Sequence, residues 1–135
     1  MVSTFFAFQE FALLALRIGV GLIFLAHGWP KIKNLKQNAV NFSMMGFKPA
    51  YFWGAIVALN EFIGSLAIIA GLFTQVAGLL LGVQMVVAMI WKIRKGQKLV
   101  GGYELDMLLA LVGFALVTTG AGFYSLENYW QLWLL

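Results

Sequence analysis

The fold is decided by residues 51–73, which read YFWGAIVALNEFIGSLAIIAGLF. About 20 apolar residues, each rising ~1.5 Å along a helix, are enough to cross the hydrocarbon core of a bilayer. This stretch carries a single charged side chain, Glu61, near its middle. The apolar run is continuous rather than alternating, and an open sheet cannot satisfy its edges in lipid. Residues 51–73 are therefore predicted to form a membrane-spanning helix.

Three further apolar stretches, 11–28, 75–91 and 103–120, have the same character. Across the 135 residues, 62% are hydrophobic and 10% charged, against roughly 45–50% and about 25% in soluble domains. A water-soluble chain of this size has too little interior to bury that much apolar surface. We predict an all-α integral membrane protein, a four-helix antiparallel bundle formed by one domain over residues 1–135. The spacing of Gly78 and Gly82 offers one close-contact face between helices.

Basic residues fall in two of the connections between the spans. The first group follows span one and the second follows span three: Lys31, Lys33, Lys36 and Lys48; Lys92, Arg94, Lys95 and Lys98. Because Lys and Arg are enriched in cytoplasmic loops, loops 29–50 and 92–102 are predicted to be cytoplasmic. Both termini then lie on the other side of the membrane. The N-terminus has no basic region before its apolar core, so we expect span one to be retained.

The C-terminal segment predicts a short helix that lies in the membrane interface. Apolar and aromatic residues recur there at helical spacing, and Ser125 is a suitable N-cap. Aromatic residues of this kind favour the depth of the lipid headgroups. The stripe comprises Leu126, Tyr129, Trp130, Trp133 and Leu134.

Three polar side chains fall near the middle of predicted spans: Arg17 in the first, Glu61 in the second and Gln84 in the third. An unpaired charge at the bilayer centre costs about 2.5–3.5 kcal/mol, so such residues normally face inward and find partners. We predict an Arg17–Glu61 pair inside the bundle. The pair either fixes helix orientation or forms, with Gln84, a ligand-binding site in which the guanidinium holds a carbonyl or an anion. Phe24 and Trp53 are candidate lining residues.

A second polar cluster is expected at the cytoplasmic ends of the spans. His27 and Lys31 close the first span, and Tyr103 and Glu104 open the fourth. His27 is a candidate hydrogen-bond partner of Glu104 or Tyr103, and imidazoles titrate near neutral pH. The alternative for Glu104 and Asp106 is a role in capping, because acidic residues suit the positive end of a helix dipole. A lone histidine does not predict a haem site.

Several functional classes lack the residues they need. The chain has no cysteine, which excludes thiol redox relays, iron–sulfur ligation and zinc-thiolate sites in this chain. It has no Walker loop, no histidine pair for a metal and no Ser-His-Asp set. The chain has a net charge of +4, and its basic residues lie at the ends of apolar segments, where lipid headgroups rather than nucleic acid are the expected partner. No metal and no intrinsic cofactor are expected, and no self-contained enzyme is indicated.

The motifs together resemble the DoxX family of small bacterial four-helix membrane proteins. They are RIGVGLIFLAHGWPK at 17–31, AGLFT at 70–74, GGYEL at 101–105 and GAGFYSL at 120–126. The resemblance implies an inner-membrane bundle, and some members are associated with thiosulfate:quinone oxidoreduction or with oxidative-stress complexes. The functional positions that it carries over are Arg17, His27, Gly28, Lys31, Glu61, Gly101, Gly102, Tyr103 and Glu104.

Three functions remain open on these grounds. The leading hypothesis is a subunit or accessory protein of a redox assembly, at most part of a quinone-linked oxidoreductase, that holds a quinone or a lipid near Arg17 and Glu61. In this hypothesis His27 and Glu104 connect the site to the cytoplasm for protons. The alternative is a non-catalytic structural subunit that docks a protein partner or a second copy of the chain. A small-solute or proton transporter is the third.

Overall fold

A computed structural model describes residues 5–134, the side chains of 132–134 excepted, and within this range the chain forms helices and turns with no strand. The helices are α1 (Gln9–Lys33), α2 (Leu35–Met44), α3 (Ala50–Ala70), α4 (Thr74–Arg94), α5 (Glu104–Thr119) and α6 (Leu126–Leu134). Four of them, α1, α3, α4 and α5 with the turn that precedes it, are long and apolar enough to cross a membrane. The predicted all-α membrane fold is confirmed.

The four long helices pack in the order α1, α3, α4, α5, and α1 makes little direct contact with α5. We call one end of the bundle the basic end; it holds α2, the last turns of α1 and α4, and residues 95–103. The other, the terminal end, holds the start of α1, the turn at residues 71–73 and the segment from residue 120 onward. The weak contact between α1 and α5 leaves room between these two helices.

Glycines let the helices approach to backbone contact. A Cβ atom on Gly78 would lie 2.7 Å from the carbonyl oxygen of Gly113, and a Cβ on Gly113 would lie 2.8 Å from that of Gly78. A Cβ on Gly82 would press on the ring of Phe114 at 3.1 Å. Between α1 and α3, a Cβ on Gly28 would lie 2.8 Å from the backbone nitrogen of Phe62. The predicted close-contact face of Gly78 and Gly82 is confirmed and is used inside the bundle, between α4 and α5.

A small apolar core fills the space between the helices. Its buried members come from all four long helices: Val20, Phe24, Ile68, Ala77, Leu81, Met85, Leu109, Ala110 and Leu116. Large apolar side chains such as Leu22, Ile63, Leu80 and Leu111 are about half exposed on the outward faces. Exposed apolar surface of this extent suits contact with lipid rather than water.

The connection after the first span differs from a simple loop. Helix α1 continues through Pro30 to Lys33, beyond its predicted end at residue 28. Helix α2 then packs along the first turns of α3, where Asn38 Nδ2 donates to the carbonyl oxygen of Gly54 at 2.7 Å. Trp91 Nε1 donates to the carbonyl oxygen of Met45 at 3.1 Å and ties α4 to the end of α2. The basic end is therefore braced by a fifth packed helix.

The C-terminal helix forms where the sequence predicts it. Ser125 Oγ accepts a hydrogen bond from the backbone nitrogen of Asn128 at 3.1 Å, as expected of an N-cap. Leu126, Tyr129 and Trp130 are exposed along one stretch of α6. The side chains of Trp133 and Leu134, which complete the predicted stripe, lie outside the described residues.

Candidate functional site

Arg17 and Glu61 do not pair. Gly28, not Arg17, lies against Glu61, and Gly21 lies against Ile69 near the end of α3. Gly28 is eleven residues beyond Arg17, which is ~16 Å along a helix axis. The predicted pair is therefore wrong. Helix α1 runs past residue 28 and is displaced toward the terminal end relative to α3, so Arg17 and Glu61 lie at different depths.

Arg17 instead binds backbone carbonyls at the terminal end. Its Nε and Nη2 donate to the carbonyl oxygens of Ile68 and Ile69 at 3.0 Å each, and Nη1 donates to those of Ala121 at 2.6 Å and Tyr124 at 2.8 Å. The last carbonyls of a helix lack the usual partners within the helix. Ile68 and Ile69 are in the last turn of α3, and the carbonyl oxygen of Ile68 also accepts from the backbone nitrogen of Gly71 at 3.2 Å. Arg17 is 1% exposed. The structure gives it a structural position that joins α1, α3 and the segment after α5.

Neighbouring contacts hold the same junction together. Gly71 ends α3 in the left-handed region at φ +71°, and a Cβ there would lie 2.5 Å from Arg17 Nη2. The carbonyl oxygen of Gly71 accepts from the backbone nitrogen of Glu127 at 3.0 Å, and Glu10 Oε2 accepts from that of Phe123 at 2.6 Å. These bonds close the terminal end of the bundle.

Glu61 is the centre of a separate polar cluster, nearer the basic end. Lys31 Nζ donates to Oε1 and Oε2 of Glu61 at 2.8 and 2.7 Å. Gln84 Nε2 donates to Oε1 at 2.7 Å, and Asn60 Nδ2 donates to Gln84 Oε1 at 2.8 Å. Glu61 is 3% exposed and Lys31 29%. The structure thus brings together Glu61, Gln84 and Lys31, and adds Asn60, which the sequence analysis missed although it precedes Glu61.

A second ion pair lies on the α4 and α5 walls. Lys92 Nζ is 2.5 Å from Asp106 Oδ2, and its distance to the carbonyl oxygen of Gly102 is 3.5 Å. The sequence predicts only a capping role for Asp106 and no role beyond topology for Lys92. Their pairing could have been predicted from their positions, since the two residues flank a short connection between antiparallel helices.

Both ion pairs line one cavity of about 230 Å³. All four long helices contribute to its wall: Phe24, His27 and Lys31 from α1, Glu61 from α3, Met85, Ala88 and Lys92 from α4, and Leu105, Asp106 and Leu109 from α5. The two outer walls belong to α1 and α5, the helices that make little contact with each other. Polar groups therefore converge on a mostly apolar chamber, the usual form of a small-molecule site.

The remaining predicted site residues lie outside this cavity. Trp53 is exposed, and its Nε1 donates to the carbonyl oxygen of Lys48 at 3.3 Å, so it is not a lining residue. Glu104 Oε1 accepts from the backbone nitrogen of Gly101 at 3.1 Å, which is a local contact at the start of α5. Tyr103 belongs to the same turn. The predicted bond of His27 to Glu104 or Tyr103 is wrong, because His27 Nδ1 contacts the carbonyl oxygen of Ile23 at 2.8 Å.

The charges of the cavity balance. Lys31 and Lys92 are opposed by Glu61 and Asp106, so a neutral ligand meets no net charge there. Each lysine ammonium has three donors, which leaves donor capacity beyond its carboxylate. In the described part of the chain no three His, Cys, Asp or Glu side chains are grouped to hold a metal ion. The donor set suits a small neutral headgroup that carries carbonyl or hydroxyl oxygens.

Comparison with known proteins places the chain among relatives. It is 29% identical over 120 residues to "Putative oxidoreductase CatD" of Bacillus subtilis, covering 89% of this chain and 87% of the relative. It is 28% identical over 126 residues to an "Uncharacterized protein" of Haemophilus influenzae, covering 90% of this chain and 92% of the relative. No solved structure matches at a significant level. The DoxX family model matches residues 12–93, which is most of the chain and includes all of α3 and all of α4 but its last residue; the chain belongs to the DoxX family.

Proposed function

We propose that this protein binds the headgroup of a quinone in the cavity between its four spans and serves as the quinone-binding subunit of a membrane redox assembly. The observation that carries the proposal is the cavity itself, in which two lysine–carboxylate pairs and a histidine converge inside an apolar wall. A quinone, when bound, supplies two-electron and two-proton transfer. The chain's own residues bind and orient it.

The size and polarity of the cavity support a ring-sized ligand. A volume of about 230 Å³ is below the roughly 300–1,000 Å³ of drug-sized sites, so it suits a headgroup whose tail remains among the lipids. The free donors of Lys31 and Lys92 match the two carbonyl oxygens of a benzoquinone. Phe24, Met85 and Leu109, all buried, offer an apolar surface to the faces of the ring.

The redox link is supported by the comparison with relatives. The Bacillus subtilis protein bears the name "Putative oxidoreductase CatD", and its similarity extends over most of both chains. Because this chain has no cysteine, we place the remaining electron-transfer chemistry in a protein partner. The fold favours a lipid bilayer around the helices and a ligand that reaches the cavity from within the membrane.

The test is retention of a quinone by the purified protein. The protein is reconstituted in nanodiscs with a decyl-tailed benzoquinone, passed through repeated lipid exchange, and the quinone that remains is measured relative to empty nanodiscs. Wild-type protein should retain close to one quinone per chain. Ala88→Phe, which places a phenyl ring inside the cavity, should lose it.

Val87→Phe is the matched control. Val87 neighbours Ala88 on α4 but is about half exposed on the outer face, so the same ring added there points away from the cavity and retention should stay at the wild-type level. Equal retention in Ala88→Phe and Val87→Phe would overturn the proposal. Retention of phospholipid alone by the wild-type protein would favour the non-catalytic assembly subunit instead.

We also propose that the basic end faces the cytoplasm of a bacterial inner membrane and that both termini face the other side. The asymmetry of Lys and Arg supports this orientation. The absence of cysteine makes single-cysteine labelling clean: Phe73→Cys should react with an impermeant maleimide in spheroplasts, whereas Lys98→Cys should react only after lysis. The reverse pattern would invert the topology. The third hypothesis, transport of a small solute or protons, is not supported, because Arg17 and its hydrogen bonds close the terminal end of the bundle.

A further inference from the structure

We infer that His27 is the residue that distinguishes the two redox forms of the quinone headgroup, accepting a hydrogen bond from the hydroquinone when neutral and donating one to the quinone when protonated. This inference rests on the proposed function, since it assigns a role inside the same cavity. It depends on the hydrogen-bonding state of the imidazole, which the structure constrains.

The contact with Ile23 fixes which ring nitrogen carries the proton. His27 Nδ1 is 2.8 Å from the carbonyl oxygen of Ile23, and a carbonyl oxygen only accepts. Nδ1 must therefore be the donor, and in a neutral imidazole the other nitrogen, Nε2, is then an acceptor. Within residues 5–131 no side chain or backbone group binds Nε2. His27 is an exposed residue that lines the cavity, and its Nε2 is an uncommitted acceptor that a ligand can reach.

Protonation of this histidine needs no rearrangement. The bond from Nδ1 to Ile23 is made in both the neutral and the charged form, because Nδ1 carries a hydrogen in each. Only Nε2 changes, from an acceptor to a donor. A hydroquinone hydroxyl both donates and accepts, whereas a quinone carbonyl oxygen only accepts. Protonated His27 can therefore donate to either redox form, but neutral His27, whose Nε2 only accepts, can bond the hydroquinone alone.

The other charged groups of the cavity are held in ion pairs, and their free atoms keep one hydrogen-bonding sense: the lysines donate and the carboxylates accept. Lys31, on the same helix, bonds both oxygens of Glu61 on α3. Lys92 on α4 bonds Asp106 on α5. Asp106 Oδ1, on the wall opposite α1, is a further acceptor for the second hydroxyl of a hydroquinone. The Asp106 carboxylate, paired with Lys92, remains an acceptor. His27 is therefore the cavity group that can switch from accepting to donating a hydrogen bond.

The test measures affinity for both redox forms at two pH values. Dissociation constants of a decyl-tailed benzoquinone and of its hydroquinone are determined in nanodiscs under argon at about pH 5.5 and about pH 8. In the wild-type protein the ratio of the quinone constant to the hydroquinone constant should rise about tenfold from the lower to the higher pH, because the quinone loses its one hydrogen bond from the charged imidazole while the hydroquinone keeps a bond to Nε2.

Three variants separate this role from a structural one. His27→Phe keeps a ring without a hydrogen-bonding nitrogen, and His27→Gln keeps polar atoms that do not titrate; both should bind quinone with a ratio that is independent of pH. Glu104→Gln, at the same end of the bundle but outside the cavity, should keep the wild-type dependence.

The outcomes are distinct. A ratio in the wild-type protein that does not change with pH, or a tenfold change that survives in both His27 variants, would overturn the role of His27 while leaving quinone binding in place. Failure of the wild-type protein to bind either form at either pH would refute the proposed function, and this inference with it.

Discussion

Replacing Arg17 by methionine should lower the stability of the folded protein without emptying the cavity. Methionine is similar in length to arginine but donates no hydrogen bond, so the carbonyl oxygens of Ile68, Ile69, Ala121 and Tyr124 lose the bonds that the guanidinium now makes. The junction between α1, α3 and the C-terminal segment would then depend on apolar contacts and on the bonds of Glu10 and Gly71.

The magnitude follows from the number of bonds and from the charge removed. An unpaired buried acceptor costs about 1–3 kcal/mol. The carbonyl oxygen of Ile68 keeps its bond from the backbone nitrogen of Gly71, so the other three acceptors set an upper range of about 3–9 kcal/mol. Removing a buried guanidinium recovers several kcal/mol of desolvation free energy, and water at the terminal end can reach some of the carbonyls. We expect a net loss of about 3 kcal/mol in the free energy of unfolding for Arg17→Met. Arg17→Lys, which keeps the charge but not the planar fork, should lose about 2 kcal/mol.

The assay is unfolding by SDS in mixed micelles, followed by the fluorescence of the five tryptophans. Gln75→Ala is the matched control, because Gln75 is an exposed residue of the same end with one bond, to the carbonyl oxygen of Val117 at 2.9 Å; its loss should stay below about 1 kcal/mol. Folded Arg17→Met should still retain quinone. An unfolding free energy of Arg17→Met equal to that of Gln75→Ala would contradict the structural role of Arg17. A folded Arg17→Met that no longer retains quinone would contradict it as well.

Two further predictions concern glycine packing and the buried ion pair. Gly28→Ala should destabilise the protein by about 2 kcal/mol, because the added Cβ would lie 2.8 Å from the backbone nitrogen of Phe62. Gly19→Ala is the control: a Cβ there meets nothing within 4 Å, so this variant should be as stable as the wild type or up to about 1 kcal/mol more stable. Equal effects of the two substitutions in the same SDS titration would contradict the packing of Gly28 against α3. Lys31→Met should cost about 3–5 kcal/mol by leaving Glu61 buried without its cation, and it should abolish quinone retention by removing a donor to a quinone carbonyl. Adding Glu61→Leu should recover most of the lost stability but not the retention. A double variant no more stable than the single one would show that the pair is not coupled.

The sequence was sufficient to predict the class of fold because lipid imposes a strong constraint. Each of the four predicted spans corresponds to a long helix, and α6 begins after the predicted cap at Ser125. The end of the first span was misplaced because Pro30 and the lysines that follow it resemble the end of a helix. Helix α1 nevertheless continues to Lys33, and this extension sets the stagger between α1 and α3.

The candidate site was only partly predictable, because a sequence shows charges but not backbone carbonyls. Arg17 and Glu61 are both ionisable and both mid-span, so pairing them was the simplest way to satisfy them. The end of α3 instead provides carbonyl oxygens that satisfy an arginine as well as a carboxylate does. Glu61 in turn is reached by Lys31, whose long side chain extends back from the last turn of α1. The identity of the partner thus depended on stagger and side-chain reach, which hydrophobic patterning does not report.

The hydrogen bonds of Arg17 also imply an order of events during synthesis. Arg17 is made early, but its first partner, Ile68, comes 51 residues later, and Ala121 comes 104 residues later. The first helix therefore enters the bilayer with an unsatisfied guanidinium, which is costly there, and it is relieved in two stages, when α3 arrives and again when the chain is nearly finished. A nascent chain released before residue 121 would lack both carbonyl oxygens that Arg17 Nη1 binds, so its first helix would keep part of this cost.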